Sequence, residues 1–520
     1  MDHQIIVSTL ALCLAFILVY LSIFERHDRL PPGPKPLPFL GNILQLPAKY
    51  KERTFVKWGN IYGDIVYAHF LRTPIIIINA HCVAQDILDK KSSIYSDRPN
   101  VAVLSDMTGM NISLPALPYG EQARKQRKWF QHAVASKSTL KQYQPIQRRE
   151  TLTLLSGICE NAGSLRLHIN RFAAGILMEI SYGYTIRSLD DIYVHLANQA
   201  MAGTLECGYP GLMLVDFVPL SLLKLLPTRI PGYLGWFIRT ASMIKGASVL
   251  LHDTPYNMVK SAIASGNARP SLVSSLLSDN DSDSDELDAQ HEIDIKATAA
   301  SIYSDHGQQM LSVLSSFLLA LLLHPRVLQK AREELDQVVG TERLPDFDDR
   351  KHLAYMECVL QEVYRWACPA PVTMLHKLAV DDEYQGYHIP AGASVVANAW
   401  AMTRDVRTYV DPEVFRPERF QDLPVGAKDT MDPRCYMFGF GRRVCPGKLL
   451  ADSSLWLAMA SIISTFDVVP SRDARGRQII PEATWESGII RQPVKFEVDI
   501  RPRSQKSLEL IKQLAAHPMF

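Results

Sequence analysis

The sequence predicts a mainly helical protein with small β-sheets, preceded by a single membrane-spanning helix. Residues Lys296 to His324 are apolar on most faces and have the length of a long buried helix. Val327 to Val339 carries its charges on one side, which is typical of a half-exposed helix. Strand-like runs are few: Ile75 to Ile78, and two pieces around turn signals between Tyr384 and Val396. Helices therefore dominate the predicted fold.

Residues 1–25 are interpreted as a transmembrane anchor. Ile5 to Phe24 contains no charged residue, and at ~1.5 Å rise per residue it matches the ~30 Å hydrocarbon core of a bilayer. A cleaved signal peptide is the alternative, but the apolar run is too long, the preceding residues are not basic and no cleavage site follows. Arg26, Arg29 and Lys35 follow the span while Asp2 precedes it. The positive-inside rule then predicts that the rest of the chain faces the cytoplasm.

Beyond the anchor, one large domain is expected. Residues 26–39 form a proline-rich hinge, because the repeated prolines from Pro31 to Pro38 fix φ and remove hydrogen-bond donors. Residues 40–505 contain no internal repeat and no clean linker, and are assigned to a single catalytic domain. Residues 506–520 are assigned to a C-terminal tail. The acidic stretch from Ser278 to Asp288 is interpreted as a surface loop.

Charge and cysteine content exclude several classes of function. The 55 Lys and Arg residues against 54 Asp and Glu residues give a net charge of +1, so no basic field is available to bind a nucleic-acid backbone. The eight cysteines include no CxxC pair of the kind that zinc and iron-sulfur sites use. A reducing, intracellular location is expected, with at least one thiol free to act as a ligand.

The most informative motif runs from Phe438 to Gly447, with the sequence FGFGRRVCPG. Its glycines allow tight bends and a close approach to a flat ligand, and they surround one cysteine and an arginine. The motif resembles the haem-binding loop of the cytochrome P450 family at every fixed position: Phe438, Gly441, Arg443, Cys445 and Gly447. The resemblance implies haem b, with the Cys445 thiolate as axial iron ligand and Arg443 beside a haem propionate.

Two further matches follow the family's order along the chain. Glu362 and Arg365 form an ExxR string, which taken alone indicates no more than a surface ion pair. The segment from Pro412 to Phe420 resembles the one that supplies a second arginine, here Arg419. The resemblance implies that Glu362, Arg365 and Arg419 form a buried structural network behind the haem loop.

The resemblance covers nearly the whole chain and is closest to fungal members of secondary metabolism, through Tyr95–Pro99 (YSDRP) and Ile389–Gly392 (IPAG). It places His376 and Arg127 near the haem propionates, although either could be a surface charge. Ala123 departs from the pattern, because it stands where the family has a tryptophan that donates to a propionate. One hydrogen bond to the haem, worth about 1 kcal/mol, is expected to be missing.

The distal oxygen-activation motif is degenerate. It falls on Asp305-His306-Gly307-Gln308-Gln309, where Gln308 replaces the family's acid and Gln309 its threonine. A glutamine amide cannot titrate, but it can hold a water molecule. Proton delivery is therefore expected to run through ordered solvent or through Asp305, one helical turn before Gln309. His306 could also crowd the oxygen pocket.

The resulting expectation is a haem-thiolate monooxygenase that inserts one oxygen atom from O2 into an apolar small molecule, in secondary metabolism or in xenobiotic oxidation. Electrons would come from NADPH through a separate membrane-bound reductase, with the catalytic domain on the cytoplasmic face of the endoplasmic reticulum. Two alternatives remain: a redox-neutral or peroxide-dependent haem-thiolate enzyme, and a weakly active membrane-tethered haem binder. The expected substrate-facing wall is the stretch from Val101 to Pro118, through its apolar residues Val103, Leu104, Met107, Met110, Ile112 and Leu114; a plain buried loop is the alternative.

Overall fold

The computed structural model describes residues 29–71, 73–209, 211–278, 288–424 and 426–516. The predicted anchor from Ile5 to Phe24 lies outside the described residues, as does most of the acidic stretch from Ser278 to Asp288. The side chains of Asp305 and His306 also lie outside what the structure describes.

Helices make up most of the fold, as the sequence predicts. In chain order they are α1 (Lys51–Tyr62), α2 (His81–Ala84), α3 (Glu121–Val134), α4 (Lys137–Glu160), α5 (Leu165–Tyr182), α6 (Ile192–Cys207), α7 (Leu220–Leu225), α8 (Gly232–Ala264), α9 (Leu272–Ser278), α10 (Ala289–Leu323), α11 (Pro325–Val338), α12 (Ala354–Ala367), α13 (Ala399–Thr403), α14 (Ala427–Met431), α15 (Lys448–Thr465) and α16 (Gln505–Ala516). A π-helical turn, Gln85–Lys90, continues α2.

Helix α10 is the central element, and it packs against α3, α5, α12 and α15. The helix begins where the Asp288 side chain accepts a hydrogen bond from the Gln290 N–H, which is a standard N-cap. It ends at His324 because Pro325 cannot continue it and instead starts α11. Within the described part of the chain, α10 is the one helix long and apolar enough to cross a membrane, and most of it is buried inside the protein. We read it as a core helix.

The strands form three small sheets: β1 (Ile65–Phe70), β2 (Thr73–Ile78), β3 (His376–Lys377), β4 (Asp382–Tyr384), β5 (Tyr387–Ile389), β6 (Ser394–Ala397), β7 (Phe466–Pro470) and β8 (Val498–Pro502). The largest sheet has the order β1-β2-β6-β3. In it, β2 and β6 run parallel, with Ile76 opposite Val395, and β3 runs antiparallel to β6, with His376 opposite Val395. The predicted strand segments are confirmed.

Both ends of the predicted domain pack against it. The proline-rich segment lies against the sheet: the Tyr67 N–H donates to Pro32 O at 3.0 Å, and a Cβ on Gly33 would lie 1.8 Å from Tyr67 O. At the other end, α16 contacts α4 and β8 and buries Ile511. Proline has no N–H donor, but its carbonyl group can still accept a hydrogen bond, as that of Pro32 does. The apolar face of α16 favours its packing against the domain.

Candidate active site around Cys445

The loop that carries Cys445 is held by backbone hydrogen bonds. The Cys445 N–H donates to Phe438 O at 2.7 Å, which closes the turn around Gly439. Gly439 and Gly441 have φ values of +80° and +53°, a region that side chains disfavour and glycine adopts freely. Gly447 is buried at the N-cap of α15. The loop therefore presents its cysteine from a tightly bent backbone at the start of a core helix.

Gly441 faces protein rather than open space. Its N–H donates to Asp89 Oδ1, and a Cβ at this position would lie 2.2 Å from Leu88 O. Gly439, in contrast, lies beside the cavity described below, and a Cβ there would be 3.6 Å from its nearest neighbour, Arg443 O. Of the two glycines, Gly441 anchors the loop on the π-helical turn and Gly439 faces the cavity.

We expect Gly441→Ala to disturb the loop more than Gly439→Ala. Both changes place a side chain at positive φ, at a cost of about 1–2 kcal/mol, but only the change at Gly441 also forces a Cβ into a backbone carbonyl. Thermal unfolding and the haem-to-protein ratio of the two purified variants measure the difference. Equal losses in both would show that contact with Leu88 does not hold the loop.

A cavity opens in front of Cys445, and we call it the Cys445 cavity. Cys445, Pro446 and Phe438 line one side, and Gln309 of α10 lines it as well. The centres of water-sized molecules can occupy about 240 Å³ of it. A ligand in this space would lie between the Cys445 loop and α10.

Cationic and imidazole side chains gather at one part of this cavity: Arg98, Arg127, His376 and Arg443. The three guanidinium groups donate to backbone carbonyls, not to carboxylates. Arg443 donates to Ser96 O and Leu117 O at 2.8 Å each, Arg127 donates to Val444 O at 2.7 Å, and Arg98 donates to Pro115 O at 3.0 Å. Among the described residues, none of them has a carboxylate within ion-pair distance.

The electrostatics of this group indicate that negative charge is missing. Burial lowers the pKa of Arg98 to about 9 and that of Arg443 to about 10, with further lowering by a neighbouring guanidinium in each case. Burial, followed by repulsion from Arg98, also lowers the pKa of His376 to about 3. Buried cations without counter-ions are costly. The two propionates of a haem are anions that would supply the missing charge, so these residues fit the implied cofactor.

Arg98 is a site residue that the sequence reasoning missed. It lies within the Tyr95–Pro99 string, but its side chain crosses to Met374 O and Leu375 O, 276 and 277 residues further along the chain. Arg127 and His376, for which a surface charge was the alternative, both line the cavity. Arg127 lies on α3 and donates to Val444 O. His376 lies on β3, and its Nδ1 is 2.7 Å from Tyr95 O. Ala123, where an indole was expected, is buried and offers no side-chain donor.

The two glutamines of the degenerate motif face different surroundings. Gln308 Nε2 donates to Asn198 Oδ1 at 3.0 Å, and Gln308 Oε1 accepts from Gln492 Nε2 at 2.8 Å. Gln308 lines a separate, polar cavity between α5, α6, α10 and residues 486–492, not the Cys445 cavity. Gln309 lines the Cys445 cavity and has no hydrogen-bond partner among the described residues. Of the pair, only Gln309 is placed to act over Cys445.

The ion network expected behind the loop is present. Both Glu362 and Arg365 are fully buried, with Arg365 Nε 2.7 Å from Glu362 Oε2. Arg419 Nε lies 3.1 Å from Glu362 Oε1. Arg365 also donates to the carbonyls of Thr403 and Pro412 at 2.9 and 2.6 Å. The network ties α12 to the segment that leads into the Cys445 loop, and it touches no part of the cavity lining.

The stretch from Val101 to Pro118 divides between the cavity and the core. Leu104, Met110 and Leu114 line the Cys445 cavity. Val103 and Met107 instead pack into a neighbouring apolar cluster with residues of α7 and α8. Three of the six apolar residues named for the substrate wall therefore line the cavity, two pack into the neighbouring cluster, and Ile112 belongs to neither set.

Comparisons with known proteins identify the family of the chain. The family model "Cytochrome P450" matches residues 31–500. Cytochrome P450 monooxygenase 176 of Postia placenta is 37% identical over 503 residues, which cover 97% of this chain and 96% of the relative. Cytochrome P450 monooxygenase claT of Ampulloclitocybe clavipes is 36% identical over 519 residues, with 98% and 99% coverage. With the cysteine loop, the buried cations and the ExxR network in place, the chain belongs to the cytochrome P450 family of oxygen-incorporating oxidoreductases.

Proposed function

We propose that the protein is a haem-thiolate monooxygenase that oxidises an apolar small molecule, in which the Cys445 sulfur would be the protein ligand of the haem iron. The observation that carries the proposal is the Cys445 cavity itself: it combines a cysteine in a bent glycine loop, a group of buried and half-buried arginines that have no carboxylate within ion-pair distance among the described residues, and a wall of apolar residues. The family to which the chain belongs implies the cofactor.

When bound, the haem would supply the activation of O2 that inserts one oxygen atom into a substrate. The Cys445 sulfur would hold the iron, and Arg98, Arg127 and Arg443 would hold the propionates through charge-assisted hydrogen bonds. Burial lowers the pKa of His376 to about 3, so the ring is neutral at physiological pH. Its Nδ1–H donates to Tyr95 O at 2.7 Å, which leaves Nε2 as an acceptor, so His376 would line the propionate site without donating to a propionate.

Apolar side chains of the cavity keep bulk water away from the substrate. Leu104, Met110, Phe130 and Met201 form part of the wall. Gln309 can hold an ordered water, because its amide both donates and accepts. Proton delivery would then run through that solvent or through Asp305, since neither Gln308 nor Gln309 carries a proton that titrates.

The setting of the reaction follows from the sequence. The anchor from Ile5 to Phe24 would place the enzyme on the cytoplasmic face of the endoplasmic reticulum. There it would receive NADPH electrons from a separate membrane-bound reductase. The fungal origin of the similar monooxygenases supports a role in fungal secondary metabolism, alongside the resemblance at Tyr95–Pro99 and Ile389–Gly392.

A second candidate is a redox-neutral or peroxide-dependent reaction at the same haem. The observation that favours it is the pair Gln308 and Gln309, where the family has an acid and a threonine. Gln308 is bound to Asn198 and Gln492, so its amide is not free to replace the acid. If these two replacements removed nearly all oxygen activation, the protein would be a weakly active, membrane-tethered haem binder.

Product analysis under ¹⁸O2 separates these functions. We expect a panel of terpenoid and aromatic hydrocarbons to yield a product that carries one ¹⁸O atom, and only when NADPH and the reductase are present. Oxidation that needs hydrogen peroxide alone would favour the peroxide-dependent reaction. Conversion with neither electron donor nor peroxide would favour isomerase or dehydratase chemistry.

A further inference from the structure

A small side pocket lies beside the Cys445 cavity, between α6, α8, α10 and the stretch from Val101 to Pro118. The centre of a water-sized molecule can occupy about 20 Å³ of it, which is enough for one hydroxyl group or one water molecule. The side pocket and the Cys445 cavity share their lining at Met110, Ser113, Met201 and Ser301. Because the lining is shared, a single molecule can lie over Cys445 and place one of its groups in the side pocket.

Two buried polar atoms in the side pocket have open hydrogen-bonding capacity. Ser301 is 2% exposed, and its Oγ accepts from the Leu114 N–H at 3.3 Å. Its hydroxyl hydrogen has no acceptor among the described residues. His252 is 8% exposed, and its Nε2 has no partner.

The tautomer of His252 follows from its other nitrogen. Nδ1 lies 2.6 Å from Ser248 O, and a carbonyl oxygen can only accept, so Nδ1 carries the hydrogen. Nε2 is then a lone-pair acceptor. Burial lowers the pKa of His252, which keeps the ring neutral and the lone pair free at physiological pH. The side pocket thus offers one donor, Ser301, and one acceptor, His252.

The other two hydroxyl groups that line the side pocket already donate their hydrogens to carbonyl oxygens. Ser113 Oγ donates to Met110 O at 2.6 Å, and Ser248 Oγ donates to Gly109 O at 3.3 Å. The remaining lining is largely apolar, with Ile244 and Leu251 among it. A donor and an acceptor left unmatched in such surroundings cost stability. Both residues line the same small pocket, and a ligand group that both accepts and donates a hydrogen bond would satisfy the two.

We propose that the side pocket binds a hydroxyl group of the substrate, whose oxygen accepts a hydrogen bond from Ser301 and whose hydrogen is donated to His252 Nε2. This inference rests on the proposed function and narrows its substrate class to apolar alcohols. Ser301 lies eight residues before Gln309 on α10, a rise of ~12 Å at ~1.5 Å per residue. The hydroxyl would therefore mark the end of the substrate remote from the oxidised carbon.

The test measures the affinity of the haem-loaded protein for 1-decanol and for 1-methoxydecane by calorimetric titration. The ether keeps the acceptor oxygen but lacks the donor hydrogen. Ser301→Ala should weaken binding of both ligands by about 3–10-fold, the effect of one net hydrogen bond. His252→Phe should weaken binding of the alcohol by about the same factor and leave the ether unchanged.

Thr298→Val is the control. Thr298 lies three residues before Ser301 on α10, is buried and donates its hydroxyl hydrogen to Asp294 O at 2.7 Å, and it lines neither the side pocket nor the Cys445 cavity. This variant should bind the two ligands as the parent does. Unchanged affinities in Ser301→Ala would overturn the proposal and assign the pair to an ordered water. An equal loss in Thr298→Val would also overturn it. Failure of the proposed function is a separate result, because it is read from the absence of ¹⁸O in the product, whereas this test measures binding alone.

Discussion

Cys445→Ala is expected to abolish turnover and to leave the purified protein with little or no haem. Cys445 is the one cysteine placed in the cavity lining among the described residues, and its loop is bent to present it there. Without the thiolate, only hydrogen bonds and apolar contacts would remain to hold the cofactor. The measurements are the haem-to-protein ratio after purification and the NADPH-dependent formation of product.

Cys435→Ala is the matched control. Cys435 lies ten residues before Cys445 and is likewise a partly buried cysteine, but it packs into the apolar cluster of Tyr436 and Phe440 rather than lining the cavity. We expect this variant to keep its haem and its turnover. Equal losses in both variants would mean that Cys445 acts only as a packing residue, which contradicts its assignment as the ligand.

Glu362→Gln is expected to destabilise the fold by about 3–5 kcal/mol, because it leaves two buried guanidinium groups without their anion. Glu362 Oε1 accepts from Arg365 Nη2 at 2.7 Å, from Arg419 Nε at 3.1 Å and from the Arg416 N–H at 2.7 Å. An amide group of the same shape would turn a donor toward these donors. Since whole domains are stable by only about 5–15 kcal/mol, the loss should be visible in urea unfolding followed by circular dichroism.

Lys330→Ala provides the comparison for that experiment. Lys330 Nζ lies 3.2 Å from Glu418 Oε1, close to the same segment, but both side chains are nearly half exposed. An exposed ion pair of this kind contributes about 1 kcal/mol or less. A loss in Glu362→Gln no larger than the loss in Lys330→Ala would show that the buried network adds little to stability.

Local patterns were enough to predict the elements that carry the site. The long apolar stretch before His324-Pro325 became α10, and the charges of the following stretch mark the exposed side of α11. The Phe438–Gly447 motif likewise predicted a bent loop, because glycine spacing acts within a few residues. These features depend on neighbours in sequence, which is why sequence reasoning could reach them.

Features that depend on distant contacts were missed or left undecided. Arg98 becomes a site residue only because its guanidinium meets the carbonyls of Met374 and Leu375. Consecutive residues of a helix point roughly 100° apart, but it is the packing of the fold that places Gln308 against Asn198 and Gln492 and Gln309 at the Cys445 cavity. No pattern within a short window of sequence contains such pairings.

The most direct test of the haem-thiolate account is the spectrum of the intact, purified protein after reduction and addition of carbon monoxide. Electron donation from the Cys445 thiolate should shift the Soret band strongly to the red, as thiolate ligation does. The account predicts that shifted band in the parent protein. Haem incorporation with a Soret band that lacks the shift, or no haem incorporation at all, would contradict it.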